Sequence, residues 1–531
     1  MIGAELIAPS ASPTLRELLE EALTRSPNAE FLVLPDITLS YGELDRLANA
    51  TANALQERGV HEGSVVTTLC NNGKAIVATW IACIKIGAVF CPVNARLTGE
   101  PLRRAMTRVG GSVLVCDAVL FGAARAVIPT ALDRRGAVLV AGAPNAADSF
   151  GHAIDCAGTE PPPRPADWGG APARLLFTSS TTGEPKAVLW SRYAEALHAT
   201  KYGDELIRVA PGETVYSCLP LFHVTCQGTL LGTLLRGGRV VIARRFDPFT
   251  FWEQTREAGA VFFPYVGTIL SALLARPPRS DDTENPVLRA MGSAAPRDTW
   301  HTFEQRFGVQ LEDVWGQTET ASCWIHAPSD GPRPGTVGVP ADRYDARLMR
   351  TDGAKALTDE PGELWIRPYE PHVMFEGYVD DGGQMRPTLD QEGWYRTGDL
   401  LSRDANGAYV FRGRLRESIR RRGETIAPAE IESAALRHPA VLEAAAVGIP
   451  ADDGVEDEIL LCIALRTPGG ATPAAIATFL RRALPRFMVP RFIRMMDDLP
   501  KTATTRVRRV ALRELGRAGA WDSRPPKTHR G

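Results

Sequence analysis

The 531-residue sequence has no C-x-x-C pair among its nine cysteines, which excludes a zinc ribbon or dithiol redox centre of that spacing. Cys70, Cys83, Cys91, Cys116, Cys156, Cys218, Cys226, Cys323 and Cys462 are scattered, most of them in apolar runs such as "IACIKIGAVFCPV". They read as core thiols of a reducing cytoplasm, not as a disulfide framework. No apolar run reaches the roughly 18 residues needed to span a bilayer. The N-terminus, "MIGAELIAPSASPTLRELLEEAL", lacks the basic start and apolar centre of a signal peptide, so a cytoplasmic location is expected. The net charge is only −2, which gives no global attraction to nucleic acid or to an anionic membrane. There is no internal repeat and no G-x-x-x-x-G-K-[ST] spacing, so a Walker-type phosphate loop is excluded.

What is present is a globular balance of 44% hydrophobic and 23% charged residues, in a chain long enough for two or more cores. Strand-like apolar runs alternate with amphipathic stretches, the pattern of an α/β protein with largely parallel sheets. "LDRLANATANALQERGV" places Leu44, Leu47, Ala48, Ala52 and Leu55 on one helical face. The strand "SVVTTLC" and the helix "GKAIVATWIACIKIGAVF" follow. A second such layer begins after residue 213 with "TVYSCLPL", "GTLLGTLLRGG" and "GRVVIA". After about residue 330 Gly and Pro become frequent, and "GELWIRP" and "GAYVFRG" predict a β-rich subdomain over 330–415. The expected organisation is a large N-terminal domain of stacked α/β sheets over 1–415 and a small, mobile α+β C-terminal domain over 416–516. Residues 517–531, "GRAGAWDSRPPKTHRG" with its preceding glycine, are expected to be a disordered tail.

Chemistry is concentrated in loops. "FTSSTTGEPKAV" has five consecutive hydroxyl residues, Thr178, Ser179, Ser180, Thr181 and Thr182, then Gly183 and Lys186, directly after the strand "ARLLF". Hydroxyls and open backbone N–H groups after a strand wrap an anion, and a lysine neutralises it; a flexible surface turn is the alternative. Downstream, "LPLFHVTC" carries Phe222 and His223, and "GSAAP" gives Gly292, Ser293, Ala294 and Ala295, a small-residue loop that a flat ring can approach. "VWGQTET" gives Trp315, Gly316, Thr318 and Glu319. "GWYRTGDL" contributes Asp399, and "FRGRLRESIRRRGETI" contributes Arg414, Arg416, Gly423 and Glu424.

In this order and spacing the motifs resemble those of the adenylate-forming superfamily, which includes acyl-CoA synthetases, the adenylation domains of peptide synthetases and luciferases. The resemblance covers roughly residues 14 to 515, and "SIRRRGETI" and "LPLFHV" are most similar to ligases of the carnitine-CoA ligase type. It implies an AMP-forming ligase that adenylates a small acid with ATP, releases pyrophosphate and passes the acyl group to a nucleophile, CoA first among the candidates. Negative charge builds on the α-phosphate and on the departing pyrophosphate. The resemblance therefore puts the hydroxyl loop and Lys186 on the β- and γ-phosphates, Thr318 on the α-phosphate and Glu319 on Mg²⁺. It puts Asp399 and Arg414 on the ribose, and Trp315, Gly316 and the "GSAAP" backbone on adenine. His223 resembles a gate between acid pocket and reaction centre; Phe222, Tyr265, Val266 and Gly267 would border the acid. Tyr265, Trp315 and Trp324 would favour a small or flat acid. Arg416 corresponds to the hinge between half-reactions, and Gly423 to the acceptor tunnel. Expected partners are the small-molecule acid, ATP and the acceptor, in a monomer or homodimer.

Two departures stand out. Ser180 and Ala187 occupy positions where relatives carry Gly. "LPKTATTRVRR" replaces the family's "LP-x-T-x-x-G-K", so Thr505 stands for the Gly and Arg506 for the catalytic Lys; Lys501 is the nearest lysine. Arg is permanently charged but bulkier and forked, so the exchange is not equivalent. Three readings follow. Arg506 does the lysine's work; the enzyme adenylates slowly or activates an unusual acid, as diazotases do with nitrite before nitrosyl transfer to an aryl amine, with amide-forming enzymes a further case; or the chain is a non-catalytic nucleotide-binding homologue.

Overall fold

The stretch with apolar residues on one face at 44–55 forms the helix Tyr41–Gln56, and it begins at a capping box. Ser40 Oγ accepts from the Glu43 backbone N–H, and the Glu43 carboxylate accepts from the Ser40 N–H. The next apolar run is the strand Val65–Leu69, followed by the almost wholly buried helix Lys74–Ile86. These elements come from a computed structural model that describes residues 14–129, 132, 136–143, 149–166, 169–178, 186–293, 295, 297–381, 383–421, 424–452, 456–501 and 507–524.

By their contacts these residues form two compact units, one built from 14–345 and 368–393, the other from 346–367 and 394–524. The first unit holds two large sheets. In the eight-stranded sheet, Val138–Ala141, Val113–Asp117, Val65–Leu69, Val89–Pro92 and Pro172–Phe177 run parallel. Ala187–Ser191 then pairs antiparallel with Pro172–Phe177, with Arg174 opposite Trp190 and Phe177 opposite Ala187. Gly377–Val379 adds to the same edge, with Tyr378 opposite Val188.

The seven-stranded sheet runs Gln310–Asp313, Arg289–Ser293, Ala260–Val266, Thr214–Ser217, Arg239–Ile242, Glu30–Leu34 and Ile37–Ser40, parallel except for the last pair. Parallel strands buried in such sheets read as near-continuous apolar runs, as in "SVVTTLC", "TVYSCLPL" and "GRVVIA". Eight of the nine cysteines are buried; Cys156 is exposed.

In the second unit the four-stranded sheet Tyr344–Met349, Gly362–Pro368, Tyr395–Arg403 and Tyr409–Arg414 groups with the C-terminal residues, whereas the sequence attached 330–415 to the large domain. A further sheet pairs Val441–Pro450, Asp457–Leu465, Phe492–Met496 and Trp521–Asp522. Its alternating side chains feed two cores: Ala446, Leu461 and Ile463 meet Ile431, Ile476 and Leu480 of the helices Pro428–Leu436 and Pro473–Ala483. Ala445, Val447 and Cys462 meet Leu512 on the other face. The stretch expected to be a disordered tail is thus corrected as far as residue 524. Trp521 packs against the first of these cores, and the Asp522 carboxylate pairs with Arg491 at 3.1 Å, so the chain gains enough burial to remain ordered.

Candidate active site

Open parallel sheets bind ligands beyond the carboxyl ends of their strands. At the end of Thr214–Ser217 the chain turns through Leu219–His223 into the helix Val224–Leu235, of which His223 is the N-cap. Asn72 pins this turn: its amide donates to the Leu219 carbonyl at 3.0 Å and accepts from the Leu221 N–H at 2.8 Å. Gln227 adds a bond from Nε2 to the Leu221 carbonyl at 2.9 Å. Phe222 and His223 then lie side by side, with ring centroids 4.6 Å apart. Phe222 is almost buried and His223 half-buried.

The next three strand ends are joined by Asp313. Its carboxylate accepts from the Tyr265 hydroxyl at 2.6 Å and from the Ala295 N–H at 3.0 Å. Tyr265 is therefore not a free wall for the acid: it is fully buried, and burial followed by the Asp313 charge pushes its hydroxyl well above its ordinary pKa. Val266 and Gly267, at the strand end, are its partly exposed neighbours. Gly292 also has a different explanation from the one its sequence offered. A Cβ there would lie 2.1 Å from the Tyr265 carbonyl oxygen of the adjacent strand, so glycine is required by strand packing before any ring approaches. Gly292→Ala should cost roughly 3 kcal/mol of stability, seen as a lower urea midpoint of unfolding.

Trp315 is buried and bridges to Ile325, so its ring is part of the packing under the motif; Gly316 is exposed beside it. Thr318–Thr320 form one 3₁₀ turn, which ends at Ala321 in a left-handed, non-glycine conformation with φ 47°. Such a residue persists only when its surroundings hold it. Trp190 Nε1 donates to the Thr318 carbonyl at 2.8 Å, the Phe375 N–H to the Glu319 carbonyl at 3.0 Å, and His198 Nδ1 contacts the Ala321 carbonyl at 3.1 Å. Burial, followed by the nearby Arg174 charge, lowers the His198 pKa from 6.5 to about 3, so its ring is neutral and Nδ1–H is the donor. The unfolded chain binds this proton below pH 6.5 and the folded chain does not, so stability falls as pH drops from 6.5 towards 3. His198→Gln should remove on the order of 4 kcal/mol of that pH dependence, measurable by urea unfolding at a series of pH values.

Glu319 is the point on which this loop converges. The residue is 9% exposed, and its carboxylate accepts a hydrogen bond from the Tyr378 hydroxyl at 2.8 Å. Lys186, at the far end of the hydroxyl loop, places Nζ 4.3 Å from the Tyr378 ring centroid. Tyr378 thus stands between the lysine and the carboxylate, and sequence reasoning missed it. The residue lies in the short strand of "MFEGYV", 59 positions from Glu319, and nothing local announces it. A single carboxylate would suit a magnesium ion that arrives on ATP phosphates, since Mg²⁺ takes one or two protein carboxylates and keeps phosphate and water oxygens. Among the described residues no group of three or more His, Cys, Asp or Glu side chains gathers as a self-sufficient metal cage.

Thr178 donates its N–H to the Lys186 carbonyl at 3.1 Å. Ser179, Ser180, Thr181, Thr182 and Gly183, like Ala294, Gly423 and Arg506, lie outside the described residues. In the second unit Asp399 and Arg414 face each other across the Tyr395–Arg403 and Tyr409–Arg414 strands, with Arg414 Nε 3.1 Å from the buried Asp399 carboxylate. Arg416 is exposed in a 3₁₀ turn, where its carbonyl accepts from Arg513 at 3.2 Å. Lys501 is held by Glu443 at 2.8 Å and Asp498 at 3.1 Å.

The sequence profile of the AMP-binding enzyme family matches residues 19–379, and that of the AMP-binding enzyme C-terminal domain matches residues 430–506. The chain belongs to the AMP-binding enzyme family. This AMP-binding enzyme is 30% identical to a sulfoacetate–CoA ligase of Cupriavidus necator, over 95% of its own length and 98% of the relative's. It is 29% identical to a 3-hydroxybenzoate–CoA ligase of Aromatoleum over 91% and 92% of the two chains. With a crotonobetaine/carnitine–CoA ligase of Salmonella arizonae the figures are 26%, 88% and 92%. Its fold matches the anthranilate CoA ligase AuaEII in complex with anthranoyl-AMP at a TM-score of 0.85, with 23% identity over 95% and 98% of the chains. The AMP-binding enzyme is an AMP-forming, acyl-CoA-synthetase-like ligase with a large N-terminal and a small C-terminal domain. No described helix is long and apolar enough to cross a membrane.

Proposed function

We propose that this AMP-binding enzyme joins a small carboxylic acid to CoA through an acyl-adenylate. The observation that carries the reading is the line Lys186, Tyr378, Glu319, which puts the cation that follows the hydroxyl run in sequence and a nearly buried carboxylate on one aromatic side chain. That is the charge arrangement needed where a polyphosphate and its metal leave. Magnesium, held by Glu319 and the phosphates, would neutralise charge on the departing pyrophosphate. Thr318 would donate to the α-phosphate, Asp399 and Arg414 would hold the ribose, and the Ala295 backbone would border the adenine. His223 would separate the acid from the reaction centre. Arg506 would bridge acid and α-phosphate, and rotation at Arg416 would bring Gly423 to the CoA channel for the second half-reaction.

A small acid is favoured by the helix that follows His223. A Cβ at Gly228 would lie 2.6 Å from the Tyr202 ring and 2.8 Å from His198 Nε2, so this side of the helix is closely packed. Trp324 closes the same cluster, 5.9 Å from Tyr202 and 5.7 Å from His198 between centroids. Full-length similarity to CoA ligases supports CoA as the acceptor.

The test is pyrophosphate release with MgATP and a panel of short, sulfonated and aromatic carboxylic acids plus nitrite, each with and without CoA. A CoA thioester of one small acid is the expected product. Release with nitrite and an aryl amine alone would replace this reading with the diazotase; no release with any acid would leave a non-catalytic nucleotide binder.

A further inference from the structure

Arg174 lies in mid-strand in "PARLLF", between Ala173 and Leu175, with no exposure to solvent. Burying a guanidinium is costly, and an apolar residue of similar volume often leaves a core equally stable, so packing alone does not account for it. Its contacts lead to two of the motif loops. Arg174 Nε pairs with the buried Glu195 carboxylate at 3.0 Å, which also accepts from Trp80 Nε1 at 3.0 Å. Arg174 Nη1 donates to Gln227 Oε1 at 2.6 Å. A guanidinium only donates, so it compels the Gln227 oxygen to face it and leaves Nε2 to donate to the Leu221 carbonyl, next to Phe222 and His223. On its other side the Arg174 guanidinium stacks over Trp190, 4.4 Å from the ring centroid. The indole then points Nε1–H at the Thr318 carbonyl, next to Glu319. Arg174 and Trp190 are register partners in the hairpin whose tip carries Thr178 and Lys186.

We propose that Arg174 is a positioning residue for adenylation: through Gln227 and Trp190 it sets the Phe222–His223 turn and the Thr318–Glu319 turn at one register with the hairpin of the hydroxyl loop. The inference rests on the adenylating role proposed above for those three loops. Glu195 neutralises the buried charge, and Trp80 completes Glu195. None of these side chains touches substrate; they fix the carbonyls that decide where His223, Thr318 and Glu319 project.

The test compares wild type with R174M/E195Q, which removes both buried charges and so leaves neither orphaned, and with W190F and R174K. Hydrogen–deuterium exchange reads the claim without any acid: R174M/E195Q should exchange faster in segments 219–223 and 316–322 and unchanged in 30–69. In pyrophosphate release, kcat should fall about 100-fold at an ATP KM within about threefold, the signature of misplaced groups with binding retained. W190F, which lacks one hydrogen bond, should lose about tenfold, and R174K, which keeps a donor to Gln227, should retain most of the rate. Unchanged exchange in both segments overturns the proposal. So does a rate loss that follows only the fraction of folded protein. If wild type releases no pyrophosphate with any acid while the exchange difference is present, the positioning role stands and the adenylating reading falls.

Discussion

Glu319→Gln should lower ATP-dependent pyrophosphate release by about 100-fold or more, the scale for loss of one preorganised charge contact to a developing anion. The substitution preserves the volume of the side chain, and the amide oxygen can still accept from the Tyr378 hydroxyl that now lies 2.8 Å from Oε1. The backbone bond from the Phe375 N–H to the Glu319 carbonyl is untouched. What disappears is the negative charge, so the loss isolates electrostatics from packing. Higher magnesium should recover only part of the rate, since in the proposed role the carboxylate would supply a ligand that an amide replaces poorly for a hard cation. A loss below about threefold would remove Glu319 from the metal-binding role. Tyr378→Phe is the companion variant. It retains the ring beneath Lys186 and removes the hydroxyl, so its effect should be smaller than that of Glu319→Gln.

The second large effect is expected at Arg506. Arg506→Ala should slow adenylation about 100-fold and leave CoA transfer from a preformed acyl-adenylate within about twofold, because the role proposed for Arg506 belongs to the first half-reaction only. Single-turnover assays started from MgATP plus acid, or from synthetic acyl-AMP plus CoA, separate the two. Equal loss in both would refute the assignment, and so would unchanged adenylation. Lys501→Met is the control. Its ammonium is committed to Glu443 and Asp498, and its backbone pairs with Val507. The variant should adenylate at the wild-type rate and lose at most about 1 kcal/mol of stability, the scale of exposed ion pairs. A large loss of adenylation there would instead make Lys501 the substitute for the absent lysine.

Much of the candidate site was legible in the chain because it is built from loops of unusual composition next to strongly apolar strands. Five consecutive hydroxyl residues after "ARLLF", the "WGQTET" turn and the Asp399 and Arg414 motifs needed no partner to be noticed. Residues whose roles depend on distant contacts were invisible. Tyr378 meets Glu319 across 59 positions, Trp190 meets Thr318 across 128, and His198 meets Ala321 across 123. Tyr265 and Gly292 were noticed as candidate lining, and the structure adds a packing role for both. Their pairing in adjacent strands, with Asp313 beneath, explains them as packing, which a one-dimensional pattern does not distinguish from pocket lining.

By itself the sequence determined the α/β class, the order of the strands and helices and the family motifs, because hydrophobic period and loop chemistry are local properties. Tertiary structure alone decided which carbonyl each buried donor holds and that the four-stranded sheet groups with the C-terminal residues. It also decided that Trp521–Asp522 joins a sheet and is not part of a loose tail. Those outcomes depend on groups far apart in the chain arriving within hydrogen-bond or packing distance, and the burial that rewards such meetings exists only once the whole fold has closed.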